Sequence, residues 1–159
     1  MKHPVRSAMR ARASKVRRRL HLEVLDRGRP RTDRAFLRSV VRTTLQFVER
    51  PSMHVSLLLT DDAEIARLHA RHLGDESPTD VISFLLDGDA EIVVSVETAR
   101  RTAKAHGHTA RAELALYVVH GILHATGFDD TRARERVCMR AAECEVMRRL
   151  RLSVRAVDA

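Results

Sequence analysis

A chain of 159 residues, 44% of them hydrophobic, can bury one core and is too short for two ordinary domains. One Tyr, four Phe and no Trp make that core aliphatic and leave little for nucleic-acid recognition on aromatic stacking platforms, while no apolar run reaches signal-peptide or transmembrane length. The formal charge of +8 sits at one end: eight of the 29 Lys and Arg lie in residues 1–19 with no acid among them, so 21 basic residues face 21 acidic ones in the remainder.

Residues 1–19 are therefore expected to be a basic arm, either a solvated tail or a source of phosphate contacts, and their Arg-rich, acid-free make-up also leaves a transit-peptide reading open. The folded domain is expected over residues 20–152, followed by a tail at 153–159. Residues 20–25 alternate weakly and read as a strand, closed by the turn formers Asp26, Gly28 and Pro30. Thr32 or Asp33 can cap a helix whose apolar positions Phe36, Leu37, Val40, Val41, Leu45 and Val48 recur at helical spacing and which ends near Glu49, ahead of Pro51.

Residues 53–59 form a second strand, and its near-continuous apolar character predicts burial on both faces. Strand, helix, strand implies a crossover between parallel neighbours. Asp61 with Glu64 three residues on resembles a capping box and starts a second helix, stopped by Gly74. A loop over residues 74–78 leads to a strand at 80–86, and Asp87-Gly88-Asp89 is a tight turn that returns residues 91–96 antiparallel. The expected fold class is α+β: a single domain with a four-stranded mixed sheet, mostly parallel with one antiparallel hairpin strand, packed with about five helices.

Three of those helices follow the sheet. Residues 97–106 are amphipathic, residues 113–125 are apolar nearly all round, and a last helix runs from Thr131 to about Leu152 with Val137, Cys138, Ala141, Val146, Met147 and Leu150 inward. Cys138 and Cys144, six apart on that helix, do not face each other and read as buried small hydrophobes, with nothing arguing for an oxidising compartment.

The chemistry lies in the apolar helix. His120 and His124 are four apart and project from one face, where two imidazoles can share an ion. Gly127 can take the left-handed conformation that ends the helix and swings Asp129 and Asp130 towards the pair. Two histidines and one aspartate leave a tetrahedral ion an open position, the mark of a catalytic rather than a closed site. The zinc peptidase pattern needs a glutamate beside the first histidine; Gly121 stands there, which argues against that chemistry and lets a backbone or substrate approach the helix.

The run His120-Gly121-Ile122-Leu123-His124-Ala125-Thr126-Gly127-Phe128-Asp129-Asp130 resembles the metal-binding motif of the YbeY endoribonucleases, or rRNA maturation factors, except at its last place, where the family carries histidine. Leu68 to Gly74 with Pro78-Thr79-Asp80-Val81-Ile82-Ser83-Phe84 is similar to a second family block, and Glu91-Ile92-Val93-Val94-Ser95 to a third. The resemblance spans roughly residues 20–150. It implies a metal-dependent, single-strand-specific endoribonuclease of the cytoplasm, acting in ribosomal RNA maturation and ribosome quality control, with ribosomal RNA and the small subunit as partners. A non-catalytic assembly factor with a structural metal is the alternative.

By register the resemblance implies His120, His124 and Asp130 as ligands of one divalent ion, with Asp129 as second choice or supporting residue. No catalytic side chain is assigned, since water on the ion is expected to serve. Zinc is expected, with iron(II) or manganese as alternatives because a carboxylate replaces the third histidine. Leu73 is the second departure: the family often has a phosphate-contacting arginine there, and Arg71, His72 or Arg132 are candidates to take over. Asp80 and Ser83 are expected to line the groove.

Overall fold

The central sheet has the order β1-β2-β4-β3, with β1 (His21–Asp26) parallel to β2 (His54–Thr60), β2 parallel to β4 (Asp89–Ser95), and β3 (Val81–Leu86) antiparallel at the edge. The computed structural model describes residues 20–75 and 79–154, so the basic arm and residues 155–159 of the tail lie outside the described residues. Five helices accompany the sheet among them: α1 (Arg34–Phe47), α2 (Asp62–Leu73), α3 (Val96–His106), α4 (Ala110–Ala125) and α5 (Ala133–Arg149). The expected α+β class, the four mixed strands and the five helices are all present.

Each boundary has a local cause. Asp33 caps α1 by accepting from Ala35 N, Asp61 caps α2 from Glu64 N, Ser95 caps α3 from Thr98 N, and Thr109 caps α4 from Ala112 N. Gly74 and Gly107 end α2 and α3 with φ of 66° and 70°. Asp87 and Gly88 both have positive φ, which gives the two-residue turn whose twist matches the β3-β4 hairpin.

The core lies on one face of the sheet. Val55, Leu57 and Leu59 of β2 and Ala90, Ile92 and Val94 of β4 meet Leu37, Val40, Val41 and Leu45 of α1 and Val118, Val119 and Ile122 of α4. On the other face β2 is only half-covered, contrary to the expectation of burial on both sides. The reason is that α2 packs there against β3 and β4 and leaves beside it a groove of about 580 Å³ lined by Leu25, Leu58, Leu68, His72, Phe84 and Val93.

The last helix differs from expectation in its phase. It runs from Ala133 to Arg149 and buries Met139, Ala142, Val146 and Met147, a 3-4-1 spacing that turns Val137, Cys138 and Ala141 to solvent. Val137 is 68% exposed and both cysteines are exposed thiols rather than core hydrophobes.

Asp62 ties α2 to the start of α3, accepting from Ser95 Oγ, from Thr98 Oγ1 at 2.6 Å and from Arg101 Nη1 at 2.6 Å. Burial pushes its carboxyl up, but the three hydrogen bonds and the Arg101 charge outweigh that and hold it below the ordinary 3.8. A carboxylate with a depressed folded value stabilises the protein above its unfolded value, and that stability is lost as pH falls through the folded value. Thermal unfolding followed downward from pH 5 is therefore expected to show a smaller loss of melting temperature in Asp62→Asn than in the wild type; identical profiles would remove this tether from the stability of the fold.

Candidate metal centre

α4 is the most enclosed helix, buried at Ala112 to Ala115, Tyr117 to Val119, Gly121 to Leu123 and Ala125, so that beyond its exposed first two residues only a narrow strip through Leu116, His120 and His124 reaches solvent. The two imidazoles stack edge to face, centroids 4.5 Å apart at 80°. The helix then closes on a complete Schellman motif: Phe128 N donates to Leu123 O at 3.0 Å, Gly127 N to His124 O at 3.1 Å, and Gly127 has φ of 107°. Phe128 packs back on the core, fixing the direction in which the chain leaves.

That exit brings Asp130 over the histidines, with Oδ2 3.8 Å from His120 Nε2 and 3.4 Å from His124 Nε2. Donor atoms of His120, His124 and Asp130 all lie within 4.8 Å of one another. A tetrahedral zinc with ligand bonds of about 2.0–2.1 Å needs ligands about 3.3–3.4 Å apart, and the two distances from Asp130 lie within about half an ångström of that separation. The side chains remain 26%, 27% and 42% exposed, which leaves one side of the centre open.

Asp129, the second-choice ligand, has another task. Its Oδ1 accepts from Asp130 N at 2.7 Å and Thr131 N at 3.1 Å, and its Oδ2 from Thr131 Oγ1 at 2.9 Å. The Thr131 hydroxyl first, then the Thr131 and Asp130 amides, hold its carboxyl below the ordinary value. Asp129 thus shapes the loop that presents Asp130.

Two residues not anticipated from the sequence complete the centre. Glu143 of α5 lies 2.5 Å from His120 Nδ1, which assigns the ring proton to Nδ1 and leaves Nε2 as the donor facing Asp130. Burial would lower the His120 pKa, but the Glu143 hydrogen bond and the charges of Glu143, Asp130 and Asp80 prevail and raise it. Arg136 Nη1 donates to Asp130 O at 3.3 Å and Thr131 O at 2.9 Å, holding the same loop from the other side. The readable signal for Glu143 was an acid four residues after Met139 and three before Val146, in phase with the apolar stripe.

Beside the centre is a cavity of about 370 Å³ whose lining includes Asp80, Tyr117, His120, Asp130, Arg140 and Glu143. Burial pushes the Tyr117 phenol up to about 12, opposed by a hydrogen bond with Thr102 and helped by the charges of Asp80 and Glu113, so the ring presents a neutral hydroxyl at ordinary pH. Asp80 lines this cavity. Ser83 is half-buried in β3 and does not line this cavity, nor do Arg71, His72 or Arg132. Arg71 and His72 are exposed on α2, where His72 stacks edge-on against Phe84 at 5.8 Å in the open groove. Arg132 is exposed beside Glu135.

Gly121 decides between the two approaches that the sequence allowed. A Cβ there would stand 2.7 Å from Ile92 Cγ2 and 3.2 Å from Val81 Cγ2, so its missing side chain admits the sheet rather than a substrate. Glu113 of the same helix is buried and meets His108 Nδ1 at 2.6 Å. With His106 this pair forms a second group of close metal-competent side chains, which joins the end of α3 to the first turn of α4.

A mixed sheet backed by a buried helix, with a His-x3-His pair and a loop carboxylate at its end, defines a class of α+β proteins with a candidate site for one ion. Within it, a sequence profile described as Endoribonuclease YbeY matches residues 27–151, and the chain belongs to that family. An Endoribonuclease YbeY of a Roseiflexus species is 36% identical over 137 residues, covering 76% of this chain and 86% of that one. One from Gloeobacter violaceus is 44% identical over 98 residues, covering 54% of this chain; the match spans half the length of that relative. A Thermotoga maritima protein solved in solution superposes with a TM-score of 0.59 at 26% identity, covering 82% of this chain and 91% of that one.

Proposed function

We propose that this chain is a metal-dependent, single-strand-specific endoribonuclease acting in ribosomal RNA maturation and ribosome quality control, in the cytoplasm, with ribosomal RNA and the small subunit as its partners. The observation that supports this best is the convergence of His120, His124 and Asp130 at an open-sided centre beside a cavity large enough for a phosphodiester. These three residues would hold one divalent ion, with zinc favoured by the two imidazoles and iron(II) or manganese as alternatives because one ligand is a carboxylate. Bound there, such an ion would supply Lewis acidity towards a phosphoryl oxygen and towards water.

The protein's own residues do the rest. Glu143 fixes the His120 tautomer and ring orientation. Asp129 and Arg136 hold the loop backbone on either side of Asp130, so the ligand is presented without an ordering cost at each turnover. Tyr117 supplies a neutral donor at the cavity wall. The arginine expected by family resemblance is Leu73, 55% exposed and unable to hold a phosphate. This favours the second reading, an RNA-binding assembly factor with a structural ion and no cleavage.

Incubation of single-stranded ribosomal RNA with the protein, with and without chelator, separates the two. Cleavage that stops on chelation and returns with added zinc, iron(II) or manganese is the expected result. Association without cleavage under every metal condition would leave the assembly-factor reading, and cleavage indifferent to chelator would overturn the metal dependence.

A further inference from the structure

Arg136, Met139, Arg140 and Glu143 fall at positions 0, 3, 4 and 7 of α5 and therefore share one face. Three of the four have identifiable tasks: Met139 is buried, Glu143 meets His120, and Arg136 holds the carbonyls of Asp130 and Thr131. Arg140 is different. It lines the cavity that contains His120 and Asp130, it is exposed, and among the described residues it makes no hydrogen bond or ion pair.

An arginine on a cavity wall with Asp80, Asp130 and Glu143 would be expected to pair with one of them if self-neutralisation were its role. Glu143 turns to His120 instead and Asp130 faces both histidines, so the guanidinium keeps its planar set of donors for something else. The chemical class that matches is an anion with several oxygens on one centre.

We infer that Arg140 is a phosphate-binding residue, contacting a non-bridging oxygen of the RNA backbone as the strand enters the cavity. It supplies from α5 the clamp that Leu73 cannot supply from α2. The inference rests on the endoribonuclease reading above and adds to it the residue that holds the substrate's charge.

The test uses the full chain freed of metal by chelation, so that binding is read apart from catalysis. Affinity for a labelled single-stranded RNA is measured by fluorescence anisotropy across a range of salt concentrations, for wild type, Arg140→Ala, Arg140→Lys and Arg148→Ala. Arg148 is paired with Glu145 outside the cavity and controls for the loss of one positive charge. Arg140→Ala is expected to bind about tenfold more weakly, as for loss of a hydrogen bond to a charged group. Its slope of log affinity against log salt should fall by about 0.7, the value of one phosphate contact on a single strand. Arg140→Lys should recover the slope but only part of the affinity, and Arg148→Ala should match the wild type.

If Arg140→Ala shows wild-type affinity and slope while the wild type cleaves RNA, the assignment of Arg140 falls and the endoribonuclease reading stands. If the wild type neither binds nor cleaves RNA, both fall. An equal loss in Arg140→Ala and Arg148→Ala would reduce Arg140 to general surface charge and also overturn the assignment.

Discussion

Replacing His124 with alanine is expected to abolish RNA cleavage, lowering the rate by well over about a hundredfold, while leaving the fold intact. Changes to residues that merely orient a ligand typically cost about 10–100-fold in metal affinity or activity, and Glu143→Gln is expected within that range. Loss of a ligand must cost more, because His120 and Asp130 alone make a two-donor site. The fold should survive for a separate reason. The His124 side chain is 27% exposed and its backbone carbonyl still accepts from Gly127 N, so truncation opens no sealed cavity and leaves the helix end closed. Circular dichroism and a melting temperature within a few degrees of wild type, beside absent cleavage, are the expected pair of results. Retained cleavage would show that the histidine pair does not carry the chemistry.

The largest expected effect on stability comes from Gly121→Val. Substituting glycine in a helix interior ordinarily gains up to about 1 kcal/mol through the unfolded chain, so the sign is decided by the space available. Here the added Cβ would approach Ile92 Cγ2 to 2.7 Å and Val81 Cγ2 to 3.2 Å, both on β-branched side chains that are stiff about χ1 and seated on the sheet. Overpacking of this kind costs about 1–3 kcal/mol for the first added groups, and valine adds two further methyls where no room exists. A net loss near 3 kcal/mol corresponds to a melting temperature about 6–12 °C lower for a chain of this length. Gly121→Ala should fall between, since its propensity gain offsets part of the clash. A valine variant as stable as wild type would mean that α4 can lift off the sheet at no cost, which its burial on nearly every side contradicts.

Gly121 also shows what could and could not be read from sequence. The glycine was visible as a place of close approach, but whether a strand or a substrate comes near depends on which face of the helix meets the sheet, and an all-round apolar helix carries no phase. The same ambiguity misplaced Val137, Cys138 and Ala141, because α5 is studded with arginines on every side and its inward stripe is set by the contact with α4 rather than by its own pattern. Features with local causes were readable: the capping aspartates, the Asp87-Gly88 turn, the Gly127 stop and the histidine pair all act within a few residues. Glu143 reaches His120 from 23 residues away along the chain, across a helix-helix contact that no spacing rule encodes. Likewise the half-open face of the sheet follows from how far α2 extends over it, which the continuous apolar run of β2 could not reveal.

The most direct measurement is the metal content of purified, zinc-reconstituted protein, by elemental analysis, for wild type and for His120→Ala, His124→Ala and Asp130→Ala. One ion per chain in the wild type, lost or reduced far below that in all three variants with their folds intact, is the expected result. A wild type that takes up no ion, or variants that retain a full one, would contradict a centre built from these three side chains.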